Sequence, residues 1–329
     1  MPDLMDKMDI AFPNLHLYLH NVPKNFTVFG FTIAWYGVII GFGFFMALML
    51  ISKMAKVTGQ DPDKYWDGAV YIIIFSIIGA RLYYVFFSWE YYKDNPISIL
   101  QIRNGGLAIY GGIIAGFLTA AIFLKIKNYN FCEYSDTAMY GLVLGQLIGR
   151  WGNFTNREAF GEYTNGLFAM RIPTEMVRGG EITALMQQHM TEGTNYIQVS
   201  PTFLYESLWN LCLLTLMILY TKRKKFNGEV TLLYLGGYGL GRAWIENLRT
   251  DQLRIHGTTI PVSQVLGICL FVAAVITDIV VRVKLSKAVA TEKSEDTEKE
   301  DTDKKEDTES EDTDKKESSE AEDSDDSEE

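Results

Sequence analysis

Three residues with polar side chains recur at every fourth position near the end of the apolar part of this chain: Tyr238, Arg242 and Glu246. In a helix, residues four apart lie on one face, so these side chains form a single stripe. The surrounding run, residues 231–248, is predicted to cross a membrane, where a charged side chain marks a site, a transport path or an ion pair. A simple ion pair between Arg242 and Glu246 would also explain the stripe.

A second arginine, Arg150, directly follows a charge-free run over residues 137–149. The polar stretch behind it contains Asn153, Asn156 and Glu158 and ends at Gly161. A guanidinium presents a fork of donors that matches two anionic oxygens, and it keeps its charge in a low dielectric. Two guanidiniums near one membrane face would therefore suit a phosphate, and phospholipid is the most abundant phosphate at that depth.

Apolar runs that could position these residues are frequent in the chain. A bilayer core requires about 20 apolar residues in a helix, and residues 25–52, 104–124 and 257–277 contain no charged side chain. Four more runs carry or border a charge, at 68–89, 137–149, 201–221 and 231–248. We therefore predict an all-α integral membrane protein with about seven transmembrane helices.

Lysine and arginine collect after every odd-numbered predicted helix, at 53, 56 and 64, at 125 and 127, at 222–225, and at 282, 284 and 287. Because short cytoplasmic loops hold the excess of these residues, the amino terminus is predicted to lie outside. The expected regions are an outer N-terminal segment (1–24), a membrane catalytic domain (25–287) with a polar outer-face segment (151–199), and a C-terminal tail (288–329).

The tail holds 21 acidic and 6 basic residues, a net charge of −15. With almost nothing apolar to bury, it is predicted to be disordered and cytoplasmic. The whole chain carries −11, so residues 1–287 carry the difference, +4. The 4 histidines and 3 cysteines lack the spacing of metal ligands. We expect no metal, no cofactor and no nucleic-acid partner.

The residues around Arg150 resemble a known family. Residues 149–161, Gly-Arg-Trp-Gly-Asn-Phe-Thr-Asn-Arg-Glu-Ala-Phe-Gly, are similar to the signature of the prolipoprotein diacylglyceryl transferases. Shorter matches, in the family's order, are Trp35-Tyr36-Gly37, Gly79-Ala80-Arg81-Leu82, Gly111-Gly112, Pro201-Thr202-Phe203-Leu204-Tyr205-Glu206 and the Tyr238 stripe. The resemblance covers roughly residues 25–285, and a long ordered signature is far more specific than one short motif.

The resemblance implies an activity. The diacylglyceryl group of phosphatidylglycerol would be transferred to the lipobox cysteine thiol of a prolipoprotein, and glycerol phosphate would be released. Such an enzyme is expected in the bacterial cell membrane, and we expect it to function as a monomer. The resemblance further implies that activity depends on Tyr36, Asn153, Glu158, Gly161, Tyr238 and Glu246.

The chemistry of this reaction suggests roles for the charged residues. Negative charge grows on the departing phosphate in the transition state, so Arg242 and Arg150 would lower the barrier by binding its oxygens. Glu158 and Glu246 would hold the two arginines. Asn153 is expected to donate a hydrogen bond to the lipid headgroup, and Asn156 to help bind it.

The chain departs from the family pattern where a general base is expected. Tyr110 precedes Gly111-Gly112 and Ser200 precedes Pro201, at places where many relatives have histidine. A phenol holds its proton up to about pH 10 and is a weak base at neutral pH. Tyr110 could be a base tuned by a nearby arginine, or could hydrogen-bond the phosphate. We favour the second role, because phenolate formation is the costlier assumption.

Other classes of membrane protein are less consistent with the sequence. A transporter would show two halves with matching broken helices, and the polar signature after Arg150 has no counterpart. An intramembrane protease would need a Ser-His pair, an Asp pair or a His-Glu-x-x-His run. A lipid-binding scaffold without transferase activity stays open because of Tyr110. Arg81 is expected to anchor headgroups or pair with Glu90, and Glu206 to organise the start of its helix.

Overall fold

The computed structural model describes residues 4–102 and 105–291. Within them, long helices dominate: α1 (Trp35–Val57), α2 (Asp63–Phe87), α4 (Ile109–Ile126), α5 (Phe131–Asn156), α7 (Thr202–Tyr220), α8 (Glu229–Ile245) and α9 (Val262–Thr291). Two short helices, α3 (Trp89–Tyr92) and α6 (Ala184–Gln188), lie in connections. Five helices, α1, α2, α4, α7 and α9, are long and apolar enough to cross a membrane.

Helix α5 is the central element of the first compact unit, which ends at Ala274. It packs against α1, α7 and α8, while α2 packs mainly on α4. The buried cluster among α5, α7 and α8 includes Tyr140, Val143, Leu213, Met217 and Tyr234. This packing brings the polar ends of α5, α7 and α8 together. The described residues of the second unit, 275–291, form the last part of α9. There Arg282 pairs with Asp278 at 2.7 Å.

The described chain is mostly helical, as predicted, but it also contains strands that the all-α prediction missed. A four-stranded antiparallel sheet has the order β2 (Leu17–Leu19), β1 (Ile10–Phe12), β5 (Met170–Pro173) and β6 (Tyr196–Val199). It joins the N-terminal segment to the outer-face segment in one head. Each strand has only three or four residues, too few to produce a clear alternating pattern.

The head has its own core, in which Ile10, Phe160, Ile172 and Ile197 are buried together. Arg157 ties this core to the end of α5. Its guanidinium donates to the carbonyls of Met8 and Val22, each at 2.7 Å. The head is thereby fixed to the end of α5 that carries Arg150.

Several predicted boundaries also differ from the structure. Residues 25–34 form a hairpin, β3 (Asn25–Val28) and β4 (Phe31–Ala34), so the first helix begins at Trp35 rather than near residue 25. The sequence signal failed here because a charge-free apolar stretch is compatible with either structure. Helix α5 continues through Asn156 into the predicted outer segment, and α9 continues to Thr291. The rest of the predicted acidic tail, 292–329, lies outside the described residues.

Arg81 does not pair with Glu90, which binds Lys93 instead. The buried Arg81 guanidinium donates to four backbone carbonyls, at 2.7 to 2.8 Å, and lies 5.2 Å from the centre of the Tyr92 ring. The carbonyls belong to Ser98, Ile99, Gly105 and Gly106. Arg81 therefore fastens the connection between α2 and α4.

Close packing of α8 against α9 should be sensitive to one methyl group. A Cβ on Gly239 would lie 2.4 Å from the Gly267 carbonyl oxygen and 2.9 Å from the Phe271 nitrogen. We expect Gly239→Ala to lower the unfolding free energy by about 1–3 kcal/mol, as overpacking does. Gly41→Ala in α1 is the matched control, because a Cβ there meets no atom within 4 Å. Equal thermal midpoints for the two variants in detergent would contradict this packing.

Candidate active site

One buried carboxylate, that of Glu206 near the start of α7, binds arginines from three parts of the chain. Its Oε2 atom lies 2.6 Å from Arg150 Nη2 of α5 and 3.5 Å from Arg242 Nη1 of α8. Its Oε1 atom lies 3.9 Å from Arg249 Nη1, just beyond α8. The Glu206 side chain is 5% exposed. The two arginines singled out in the sequence therefore meet on one oxygen atom.

Two further carboxylates complete this arginine cluster. Arg242 Nη2 lies 2.5 Å from Glu246 Oε2, so the predicted stripe does contain an i,i+4 ion pair. Arg249 donates two hydrogen bonds to Asp251, at 2.8 and 2.9 Å. Burial alone would raise the pKa of Asp251, but the hydrogen bonds and charge of Arg249 outweigh it and lower that pKa. Three arginines thus face three carboxylates.

A second chain of contacts leads from Arg150 toward the head. Arg150 Nη1 lies 3.4 Å from Asn153 Oδ1, and Asn153 Nδ2 donates to Glu158 Oε1 at 2.9 Å. Glu158 Oε2 in turn accepts from Arg178 Nη2 at 2.8 Å. The expectation that Glu158 holds Arg150 is therefore wrong: Glu158 holds Arg178, and Glu206 takes the place beside Arg150.

An apolar cavity of about 730 Å³ opens beside Arg150 and runs between the pairs α1–α5 and α2–α4. Its lining includes Arg150, Asn153 and Tyr36 as well as residues near the opposite ends of the helices, such as Lys64 and Phe131. From Phe131 to Asn153 a helix rises about 33 Å, which is close to the hydrocarbon thickness of a bilayer. The cavity is therefore long and apolar, with the Arg150 guanidinium at one end.

The remaining predicted residues occupy different places around this site. Tyr36 lines the cavity against Gly152, where a Cβ would lie 2.6 Å from the Tyr36 ring. Tyr238 stacks on Tyr234 with 5.7 Å between ring centres. Gly161 forms a backbone bridge to Arg249, so its contribution here is to place that arginine. Asn156 is the last residue of α5.

Tyr110 lies in the first turn of α4, with 58% of its surface exposed. Its neighbour Ile109 lines the cavity. At the following residue, Gly111, α4 packs closely on α2, because a Cβ there would lie 2.4 Å from the Gly79 carbonyl oxygen. Tyr110 is thus an exposed side chain next to a residue of the cavity wall, and it does not belong to the arginine cluster.

Sequence reasoning missed the roles of Glu206, Arg249 and Arg178. A signal for Glu206 was available, since a carboxylate one turn into an apolar helix must find a partner, and intramembrane arginines are the obvious ones. Arg249 and Arg178 lie in connections, where spacing along a helix gives no information about which side chains meet.

The cluster has donors to spare for a ligand. A guanidinium carries five N–H donors in a fixed fork, and the contacts above occupy only part of those of Arg150 and Arg242. Donors fixed in place in a low-dielectric site bind a developing anion at little reorganisation cost. The arrangement can therefore bind a phosphate group at one end of an apolar cavity.

Comparison with known proteins supports this interpretation. Residues 23–280 match the family described as prolipoprotein diacylglyceryl transferase. The chain is similar to phosphatidylglycerol-prolipoprotein diacylglyceryl transferases of three bacteria. It is 39% identical to that of Finegoldia magna over 80% of this chain and 97% of the relative. It is 38% identical to that of Clostridioides difficile over 82% of this chain and 98% of the relative. It is 43% identical to that of Clostridium botulinum over 75% of this chain and 93% of the relative.

Removing the shared carboxylate should destabilise the fold. We expect Glu206→Gln to lower the unfolding free energy by about 3 kcal/mol, because it leaves three partly buried arginines with one anion fewer. Glu175→Gln is the matched control, since that carboxylate is 67% exposed and pairs with Lys7 at 3.6 Å, and an exposed pair contributes little. Unfolding in mixed micelles measures both variants. If they were equally stable, Glu206 would not hold the cluster together.

Proposed function

This chain belongs to the prolipoprotein diacylglyceryl transferase family, and we propose that it transfers the diacylglyceryl group of phosphatidylglycerol to the lipobox cysteine of prolipoproteins. It is a bacterial membrane transferase of lipoprotein maturation. The observation that carries the proposal for the site is the meeting of Arg150 and Arg242 on Glu206 at one end of the apolar cavity.

Phosphatidylglycerol would bind with its acyl chains in the cavity and its phosphate at the arginine cluster. Arg150 both lines the cavity and contacts Glu206, so it can reach a lipid phosphate without leaving the cluster. Arg242 would bind the same phosphate from α8. A phosphate oxygen would then take the place that Glu206 Oε2 holds between them, or bind the donors that Glu206 leaves free.

In the reaction, the thiolate of the substrate cysteine attacks the glyceryl carbon that carries the phosphate. A carbon–sulfur bond forms, the carbon–oxygen bond breaks, and glycerol phosphate leaves with the bonding electron pair. The thiol proton passes to water, or to Tyr110 if that residue is the base, before or during attack; a free thiol has a pKa near 8.5. Negative charge grows on the leaving phosphate, so guanidiniums fixed beside it bind the transition state more tightly than the ground state.

The other site residues would position the lipid and the two arginines. Glu246 fixes Arg242 through their ion pair. Asn153 and Glu158 lie toward the head, where the glycerol headgroup would lie, and Asn156 follows at the end of α5. Tyr36 would contact the lipid in the cavity, and Tyr238 would support Arg242 from the same helix face. Tyr110 would hydrogen-bond the phosphate or act as the base.

We further propose seven membrane spans, with the amino terminus and head outside and the acidic tail in the cytoplasm. Helices α5 and α8 are included although they are not among the five apolar spans, because Arg150 and Arg242 pair inside the bundle with Glu206 of α7 and with Glu246. An intramembrane charge is tolerated when it faces the bundle interior and is paired. The basic residues at or just beyond the ends of α1, α4 and α7, and those in the last turns of α9, support this orientation.

A direct assay tests the activity. Purified protein is mixed with labelled phosphatidylglycerol and a lipobox peptide, and mass spectrometry detects the thioether adduct. We expect an adduct and released glycerol phosphate. No adduct, under conditions in which the Clostridium botulinum relative makes one, would leave a lipid-binding scaffold as the better explanation.

Arg242→Lys should lower kcat by about 100-fold or more, the effect of removing one fixed donor to a developing anion. A lysine keeps the charge but cannot bind Glu246 and a phosphate with one planar fork. The adduct assay measures turnover, and a thermal midpoint near that of the wild type shows that folding is intact. Arg254→Lys, at an exposed position, is the control. Full activity of Arg242→Lys would refute the phosphate role.

Tyr110→Phe distinguishes the two roles of this residue. If Tyr110 only hydrogen-bonds the phosphate, its loss should reduce kcat by about 10- to 150-fold, the range of a single hydrogen bond to a charged group. The pH profile of kcat should then keep its shape. A much larger loss, with removal of one limb of the profile, would instead identify Tyr110 as the base.

A further inference from the structure

Arg178 differs from the arginines of the cluster in its exposure and its partner. Its side chain is 71% exposed, whereas those of Arg150, Arg242 and Arg249 are 13 to 21% exposed. Its partner is Glu158, at 2.8 Å. Through Glu158 and Asn153 it is linked to Arg150 by consecutive polar contacts. Arg178 is therefore the outermost cation of the site.

The backbone around Arg178 can reposition its side chain. Gly179 and Gly180 follow it directly, and Gly180 has φ of +88°, which side-chain-bearing residues rarely adopt. A Cβ at either glycine would meet no atom within 4 Å. The Arg178 guanidinium is largely in water, which screens and weakens its pair with Glu158, although the Glu158 side chain is only 19% exposed. Arg178 can therefore exchange Glu158 for a stronger anion at little cost.

Charged side chains around Glu158 bear on which lipid headgroup can bind there. Lys24 lies in the same neighbourhood, where burial lowers its pKa and the charges of Arg157 and Arg178 lower it further. Glu181 is partly buried, and burial raises its pKa. Lys24, Arg157 and Arg178 thus share this region with the carboxylates of Glu158 and Glu181. A headgroup that carries an extra positive charge would be repelled there, whereas one without it would not.

We propose that Arg178 is a further lipid-binding residue. Its guanidinium would break its ion pair with Glu158 and bind the phosphate of the incoming lipid from the water side. It would thereby favour anionic over zwitterionic phospholipid. The inference rests on the proposed function, since it assigns a third guanidinium to the same lipid. Arg150 and Arg242 act on the phosphate from fixed positions. Arg178 would bind it from an exposed position and select the headgroup by charge.

The test measures the adduct in neutral detergent micelles that contain phosphatidylglycerol or phosphatidylethanolamine, so that the bulk surface charge stays constant. Arg178→Gln should raise the KM for phosphatidylglycerol about tenfold, the effect of one charge-assisted hydrogen bond, and leave kcat within about twofold. Its preference for phosphatidylglycerol over phosphatidylethanolamine should fall by a similar factor. Arg178→Lys should restore much of both. Lys7→Gln, which removes the same charge from an exposed pair in the head, should change neither.

Each other outcome overturns the inference in a recognisable way. An unchanged KM in Arg178→Gln, with an active wild type, shows that Arg178 does not touch the lipid. A fall in kcat and thermal midpoint without a change in KM shows that Arg178 only holds the head together. If the wild type makes no adduct from either lipid, the proposed function fails and the inference fails with it.

Discussion

The structure depends on a rule of charge pairing: a charged side chain surrounded by apolar helices must find a counter-charge. Glu206 meets this requirement for Arg150, Arg242 and Arg249 at once. Because these residues come from α5, α7, α8 and the segment after α8, their pairing fixes where those elements meet. The same contacts leave guanidinium donors unfilled. A constraint that the membrane imposes on folding thus produces an anion-binding site.

Arginines serve two different purposes in this chain. Arg81 and Arg157 bind backbone carbonyls and fasten connections and the head to helix ends. Arg150 and Arg242 bind carboxylates beside the cavity. A carbonyl neutralises no charge and cannot be displaced without unfolding a turn, whereas a carboxylate can share its guanidinium with another anion. This distinction, rather than burial, separates structural from candidate functional arginines.

Sequence reasoning could identify what is periodic or local. The Tyr238 stripe, the ion pair of Arg242 with Glu246, and the apolar helices follow from spacing and composition. The head could not be predicted, because β1 pairs with β5 across about 160 residues and each strand is too short for a pattern. The partner of Glu158 could not be predicted for the same reason, since Arg178 is brought to it by that sheet. The hairpin of residues 25–34 could not be predicted, because its charge-free sequence is equally compatible with a helix.

The most direct measurement is a structure of the protein with phosphatidylglycerol bound, determined by electron cryomicroscopy in a lipid nanodisc. We predict that the lipid phosphate lies between Arg150 and Arg242, with oxygens about 3 Å from a nitrogen of each guanidinium, and that the acyl chains fill the cavity. A phosphate bound elsewhere, while both arginines remain closed on Glu206, would contradict it.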